Sequence, residues 1–423
     1  MFANLIPTSC RGIKTIDREL FKVKIDVRAI KVPVKHIGSI QKQYRDELFN
    51  IPRQKNVIEI DGEKEYKLVL LRPDCENTEN SSNEVCKLAE KEKWAFENHE
   101  LVLNYEHWSA EDVLKAILPN PDEAPTSYEQ IGHIAHMNLR DEYLPYKNII
   151  GEVILDKSPT IKTVVNKLDT IDSTYRNFKM EVLAGEPNLV AIVRESGCRF
   201  KFDFSKVYWN SRLQNEHERI ISLFKKKEYI CDVMAGVGPF SIPAARNKQC
   251  TVWANDLNPS SYSSLVENIK LNKISNLVTP FNIDGREFIK MAFAKLALEK
   301  KQVVDGIPKT FDHVVMNLPA TAIEFLDAFS GVLSEYSQES ININEINPNM
   351  PTIHVHCFTK SETPETDILT RASNALGLHE NEFPEFEKSA KAVYVRKVAP
   401  NKDMYCLSFP LPLCIAIRKQ HSE

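Results

Sequence analysis

No stretch of this 423-residue sequence approaches the ~20 consecutive apolar residues that span a bilayer, so neither a transmembrane segment nor a membrane partner is expected. Its nine cysteines are scattered and include no Cys-x-x-Cys pair, which argues against a disulfide frame and for reduced thiols in a reducing compartment. An overall positive charge is missing too. The net charge of −4 excludes a simple polycation but not a local basic face. Residues 11–45 carry such an excess: Arg11, Lys14, Arg18, Lys22, Lys24, Arg28, Lys31, Lys35, Lys42 and Arg45 stand against Asp17, Glu19 and Asp26. On the residues alone this is equally the solvated face of a small domain. With 43% hydrophobic and 26% charged residues the chain has globular composition, and its length calls for two or three domains.

Residues 19–37 alternate and are β-branched at Val23, Ile25 and Val27, which predicts strands. Residues 73–84 (PDCENTENSSNE) read as a disordered surface insertion. A helix is predicted over 108–117, capped by Ser109 with Asp112 three residues on. Pro119, Pro121 and Pro125 then mark a linker. From 129 to 206 the pattern is mixed: a strand at 131–137, a helix over 144–156, and short strands at 160–168, 178–184, 189–195 and 199–204. From 228 strands (229–234, 250–255, 278–283, 311–317, 352–358) alternate with helices (239–247, 259–272, 285–299, 321–334, 363–376), as in a doubly wound parallel sheet. Residues 393–398 and 404–417 predict an antiparallel hairpin closing the sheet edge. The expected organisation is an N-terminal domain (1–125), a small α+β domain (126–206) and an α/β Rossmann-like domain (207–423).

The segment Asp232-Val-Met-Ala-Gly236-Val-Gly238-Pro239 lies between the first strand and the first helix of that sheet, where open α/β sheets bind ligands. Glycines there admit close backbone approach. The dinucleotide spacing Gly-x-Gly-x-x-Gly fails, because Pro239, Phe240 and Ser241 follow Gly238. An acid four residues before the first glycine suits a ligand with a charged amino-acid end: S-adenosylmethionine. Asp256, followed by Leu257, ends the second strand and could accept both ribose hydroxyls. Asp284, followed by Gly285, ends the third and could take the adenine amino group. Each alone could be an ordinary helix N-cap; three at successive strand ends, with the glycine turn, point to the cofactor.

Several motifs narrow the reaction. Residues 207–219 (VYWNSRLQNEHER), 232–245, Asn255-Asp-Leu-Asn-Pro259, Asn317-Leu-Pro-Ala320 and Arg140-Asp-Glu-Tyr-Leu-Pro-Tyr146 resemble the archaeal and eukaryotic tRNA (guanine-N1)-methyltransferases that act on guanosine 37 beside the anticodon. The resemblance runs from about 130 to 418 and is looser before that. It implies a class I methyltransferase domain using S-adenosyl-L-methionine without a metal, a tRNA partner and an N-terminal domain that touches the outer corner of the tRNA. It implies a flipped target base, since N1 lies on the Watson–Crick edge. It also implies work on cytoplasmic and mitochondrial tRNAs, including the first step of wybutosine synthesis on tRNA-Phe. On the residues alone Glu216 and Arg219 are an i, i+3 helix-surface pair; the resemblance makes Glu216 the catalytic glutamate, eight residues after Tyr208. It puts Arg176 on guanine O6, His217 at the methionine end of the cofactor and Asn317 beside the target base. Ala320 stands where amino-group methyltransferases carry a stacking aromatic, which argues for a ring nitrogen.

Two histidine pairs invite a metal reading. His133 and His136 sit in the 131–137 strand and so point to opposite faces. His354 and His356 share a face, but their flanks predict a buried strand with no other ligands near in sequence. No metal is expected at either. The first sixteen residues lack acids and carry Arg11 and Lys14, compatible with a mitochondrial presequence. The expected places are mitochondrial matrix, nucleus and cytoplasm, and the expected state is monomeric. Two other functions stay open: aminocarboxypropyl transfer from the same cofactor, as in the related wybutosine-pathway enzyme, and RNA binding without catalysis.

Overall fold

A computed structural model of the chain describes residues 10–51, 53–72, 83–120, 123–171, 178–300, 303–304, 307–308, 310–335 and 350–419. The expected insertion at 73–84 lies outside the described residues up to position 82, as does the chain before Cys10. Backbone contacts divide the chain into two compact units. One takes residues 1–129, 135–167 and 181–187, the other 130–134, 168–180 and 188–423. Residues 126–206, set apart in the sequence as a small α+β unit, are shared between the two.

The first unit holds a four-stranded antiparallel sheet ordered Val57–Ile60, Glu63–Leu70, Val23–Pro33, Phe96–Leu103. The alternation of the long strand sorts its side chains onto two faces. Ile30 and Val32 join Ile40, Val85 and Cys86 on one; Val27 and Ala29 join Leu114, Ile150 and Val153 on the other. The predicted helix at 108–117 spans Ala110–Ile117 and carries the expected capping box between Ser109 and Asp112. The helix predicted over 144–156 begins instead as a 3-10 turn, Asp141–Tyr146, with Pro145 inside it, and becomes α-helical at Lys147–Lys157.

In the second unit a seven-stranded sheet is built from β1 (Tyr229–Asp232), β2 (Thr251–Asn255), β3 (Val278–Phe281), β4 (His313–Met316), β5 (Thr352–Thr359), β6 (Lys391–Ala399) and β7 (Lys402–Pro410). Its order is β3-β2-β1-β4-β5-β7-β6, parallel throughout except for β7 and β6. The strand order reverses beside β1, where such sheets open a crevice. The helices are α1 (Gln214–Leu223), α2 (Ser241–Lys248), α3 (Pro259–Leu271), α4 (Gly285–Lys300), α5 (Pro364–Leu376) and α6 (Phe383–Ser389). One sheet face buries Trp253, Phe288, Phe293, Ile353, Val355 and Cys357 in a single core. The hairpin Val190–Glu195/Cys198–Asp203 is fastened to α3 by buried Asn268 and Asn272, which accept the backbone N–H groups of Lys201 and Arg199.

Three expectations need correction. The helix expected at 321–334 is a 3-10 helix, Ala322–Phe329. Its buried Ile323, Leu326 and Phe329 recur every third residue, the period of that helix. The strand expected at 131–137 is broken by Gly132 at φ +59° into Glu129–Ile131 and Ile134–Met137, so His133 sits in a turn. A Cβ on Gly132 would meet the Ile192 carbonyl oxygen at 2.8 Å. The closing hairpin ends at Pro410, because proline cannot donate to the ladder, and Leu413–Ala416 is a short helix.

Candidate active site

The glycine turn grows from the end of β1. Asp232 is fully buried there. Its Oδ2 accepts from Ser241 Oγ at 2.6 Å, while Oδ1 has no hydrogen-bond partner among the described residues. Burial raises this carboxyl to about 7, against the pull of the Ser241 hydroxyl. Gly236 and Gly238 both take positive φ, +56° and +98°. A Cβ on Gly238 would lie within 2.9 Å of Ile242 and Leu265, whereas one on Gly236 would project into open space. The turn thus packs against protein on one side and offers bare backbone on the other.

Two further carboxylates end β2 and β3. Asp256 Oδ2 accepts the Gly236 N–H at 2.8 Å and Oδ1 accepts the Asn258 N–H, and burial moves this carboxyl up. Asp284 Oδ1 accepts the N–H of Arg286 at 2.8 Å, so it does serve as a helix cap. A Cβ on Gly285 would meet the Phe325 ring at 3.0 Å, so the ring would have to give by a few tenths of an ångström. Leu257 is half exposed just beyond Asp256. The donor set fits S-adenosylmethionine: an orphan buried carboxylate oxygen for an ammonium, bare backbone at Gly236, and strand-end carboxylates for hydroxyl and amino groups.

His217 and Glu216 project from α1 into the protein. His217 Nδ1 contacts Glu195 Oε1 at 2.6 Å, and its ring meets Phe240 edge-on at 4.8 Å beside the glycine turn. Glu216 is buried among cations. Arg219 grips it twice, Nε to Oε2 at 2.7 Å and Nη2 to Oε1 at 2.8 Å, and His356 Nε2 contacts Oε1 at 2.7 Å. Burial opposes the charge, yet these bonds win and hold the Glu216 carboxyl at about 2. Burial alone would lower His356, but Cys406 and Glu216 draw it up to about 10.

His356 follows Val355, which pairs with Met316, so Glu216 stands level with the Asn317 turn. Asn317 Oδ1 is buried without a partner among the described residues. Its turn is braced by Leu318 O, which accepts from Thr321 N, and by Pro319 O, which accepts from Phe358 N at 2.8 Å. Tyr208 is half exposed, its hydroxyl accepting from Asn210. Arg176 lies outside the described residues.

The fold brings to His356 companions that are remote in sequence. Glu216, His356 and Cys406 bring potential ligand atoms within 4.8 Å of one another. Arg219 already supplies Glu216 with a bidentate cation, so this cluster reads as an ion-paired network. His354 is used elsewhere, contacting His313 Nδ1 at 3.0 Å and Ser408 Oγ at 2.8 Å.

Two family models match: the TRM5/TYW2 methyltransferase domain over residues 191–341 and the TYW2 N-terminal domain over 110–188. A tRNA (guanine(37)-N(1))-methyltransferase of Schizosaccharomyces pombe is 45% identical, with 96% of each chain covered. Its namesake in Homo sapiens is 40% identical over 98% of this chain and 79% of its own. The chain belongs to the tRNA (guanine(37)-N1)-methyltransferase family. Trm5b from Pyrococcus abyssi shares the fold at a TM-score of 0.60 and 27% identity, covering 91% of this chain and 99% of its own. Within this family's fold, sequence reasoning missed His356, Arg219 as a clamp, Ser241 and Asn255. Asn255 is buried and bonds Val233 O and Ile283 O, tying the ends of β1 and β3 together. A polar residue closing the apolar strand Val252-Trp253-Ala254 was the available signal.

Proposed function

We propose that this chain transfers the methyl group of S-adenosyl-L-methionine to N1 of guanosine 37 in tRNA. The observation that carries the reading is the orphan pair Asp232 Oδ1 and Asn317 Oδ1, buried polar atoms at the carboxyl ends of adjacent strands of a family methyltransferase sheet. Asp232, Gly236, Gly238, Asp256, Leu257, Asp284, Gly285 and His217 hold the cofactor, which supplies a methyl group on a sulfonium. Asn317 holds the guanine edge and Tyr208 flanks it. Glu216 takes the N1 proton, because a protonated ring nitrogen has no free pair for attack. Arg176 steadies the charge that builds on O6. The N1 lone pair then forms the bond to the methyl carbon as the carbon–sulfur bond breaks.

Glu216→Gln is expected to cut the single-turnover rate by about 100-fold or more with cofactor affinity nearly intact; an undiminished rate refutes the base role. Aminocarboxypropyl transfer remains the second reading, since one matching model spans both branches of the family. Its by-product is methylthioadenosine in place of S-adenosylhomocysteine. The wybutosine first step, a monomeric state and work in mitochondrial matrix, nucleus and cytoplasm follow from the family resemblance.

A further inference from the structure

Glu216 has three of its four carboxylate lone-pair sites taken, all by cationic side chains. Oε1 lies against His356 Nε2 and Arg219 Nη2, and Oε2 accepts from Arg219 Nε. A carboxylate held by two cations is a poor base, and it gains proton affinity only when one of them leaves. His356 is wholly buried inside β5, between β4 and β7. Arg219 is on a helix with its side chain 30% exposed, and its stem is long and flexible. Of the two, only Arg219 has somewhere to go. A guanidinium trades a carboxylate for a phosphate with the same bidentate geometry, and tRNA brings a dense row of phosphates.

We propose that Arg219 masks Oε2 of Glu216 in the free protein and moves onto a tRNA backbone phosphate when the target nucleotide enters. The inference rests on Glu216 being the base. His356 keeps Oε1, so Oε2 receives the N1 proton while the electron pair stays on guanine. The proton leaves to solvent before Arg219 returns. Masking keeps a desolvated carboxylate paired whenever no substrate is present, and ties unmasking to the substrate that needs it. The charged and titratable groups facing Glu216 are Arg219 from α1, His356 and more distantly His354 from β5, and Cys406 from β7; Asp232 of β1 acts on His356.

The test compares wild type, Arg219→Met, Arg219→Lys and His356→Gln, with cofactor binding as the folding check. Two quantities are read with a tRNA transcript: the slope of log affinity against log salt, and the acid limb of the single-turnover pH profile at saturating enzyme. Arg219→Met is expected to lose about 0.7–0.9 of the salt slope, one phosphate contact, and to keep its acid limb where wild type has it. Arg219→Lys keeps the slope. His356→Gln shifts the acid limb to higher pH, showing that the limb reports on Glu216. An unchanged slope in Arg219→Met, or an acid limb displaced upward in that variant, means the pair persists in the complex and overturns the latch. Full rate in Glu216→Gln would remove the base itself, whereas an unchanged Arg219→Met slope removes the latch and leaves the base.

Discussion

Asp232 and Glu216 are both buried carboxylates, and their surroundings drive them apart. Asp232 has a hydroxyl and an orphan oxygen, and burial lifts it to about 7; Glu216 has two cations and sits at about 2. The sign for Asp232 follows directly. Below about pH 7 the free protein keeps it protonated, and an ammonium ligand favours the ionised form, so cofactor binding releases a proton. Affinity for S-adenosylmethionine should therefore rise as pH climbs through about 7. Calorimetry in buffers of different ionisation heat should detect the released proton; a pH-independent affinity contradicts the pairing. For Glu216 the folded value is depressed, so its contribution to stability is present above its ordinary range near 4.5 and is lost as pH falls toward 2. His356 is raised, so its contribution is present below about 6.5 and is lost as pH rises toward 10. Glu216→Gln should flatten the acid side of a plot of urea midpoint against pH, and an unaltered acid side would deny the ion pair. None of this was legible in the sequence. Glu216 and His356 are 140 residues apart, and an i, i+3 Glu–Arg pair looks like any helix surface.

At the scale of elements, legibility followed periodicity. The central strands were readable because residues 230–232 and 252–255 are short buried runs closed by a polar residue, and the helices between them because their spacing is regular. The 3-10 helix at Ala322–Phe329 was misread because a spacing of three passes for a helical stripe over eight residues. The hairpin at Gly132 was missed because a glycine inside an alternating run reads as a flaw in a strand, while its positive φ makes it the turn. Helix α6 follows the C-terminal end of α5 closely and offered no independent pattern. The glycine turn itself is an element with a testable constraint. Gly238→Ala combines positive φ with contacts under 3.0 Å, so it should destabilise the fold by ~1–3 kcal/mol. A urea midpoint equal to wild type would show that the turn relaxes freely.

For the whole molecule, charge is local rather than global. A net charge of −4 coexists with the basic stretch at 11–45, so tRNA affinity should depend on phosphate contacts and fall steeply with salt. A log–log salt slope near zero would contradict that. Mass mapping of the modified nucleoside shows whether the sheet that gathers Glu216, Asn317 and Asp232 at one end methylates N1 of guanosine 37. tRNA is incubated with the protein and methyl-labelled S-adenosylmethionine, then digested and sequenced by mass. The expected result is one labelled 1-methylguanosine at position 37, with S-adenosylhomocysteine as the other product. Label at another position or atom, or methylthioadenosine in its place, would contradict it.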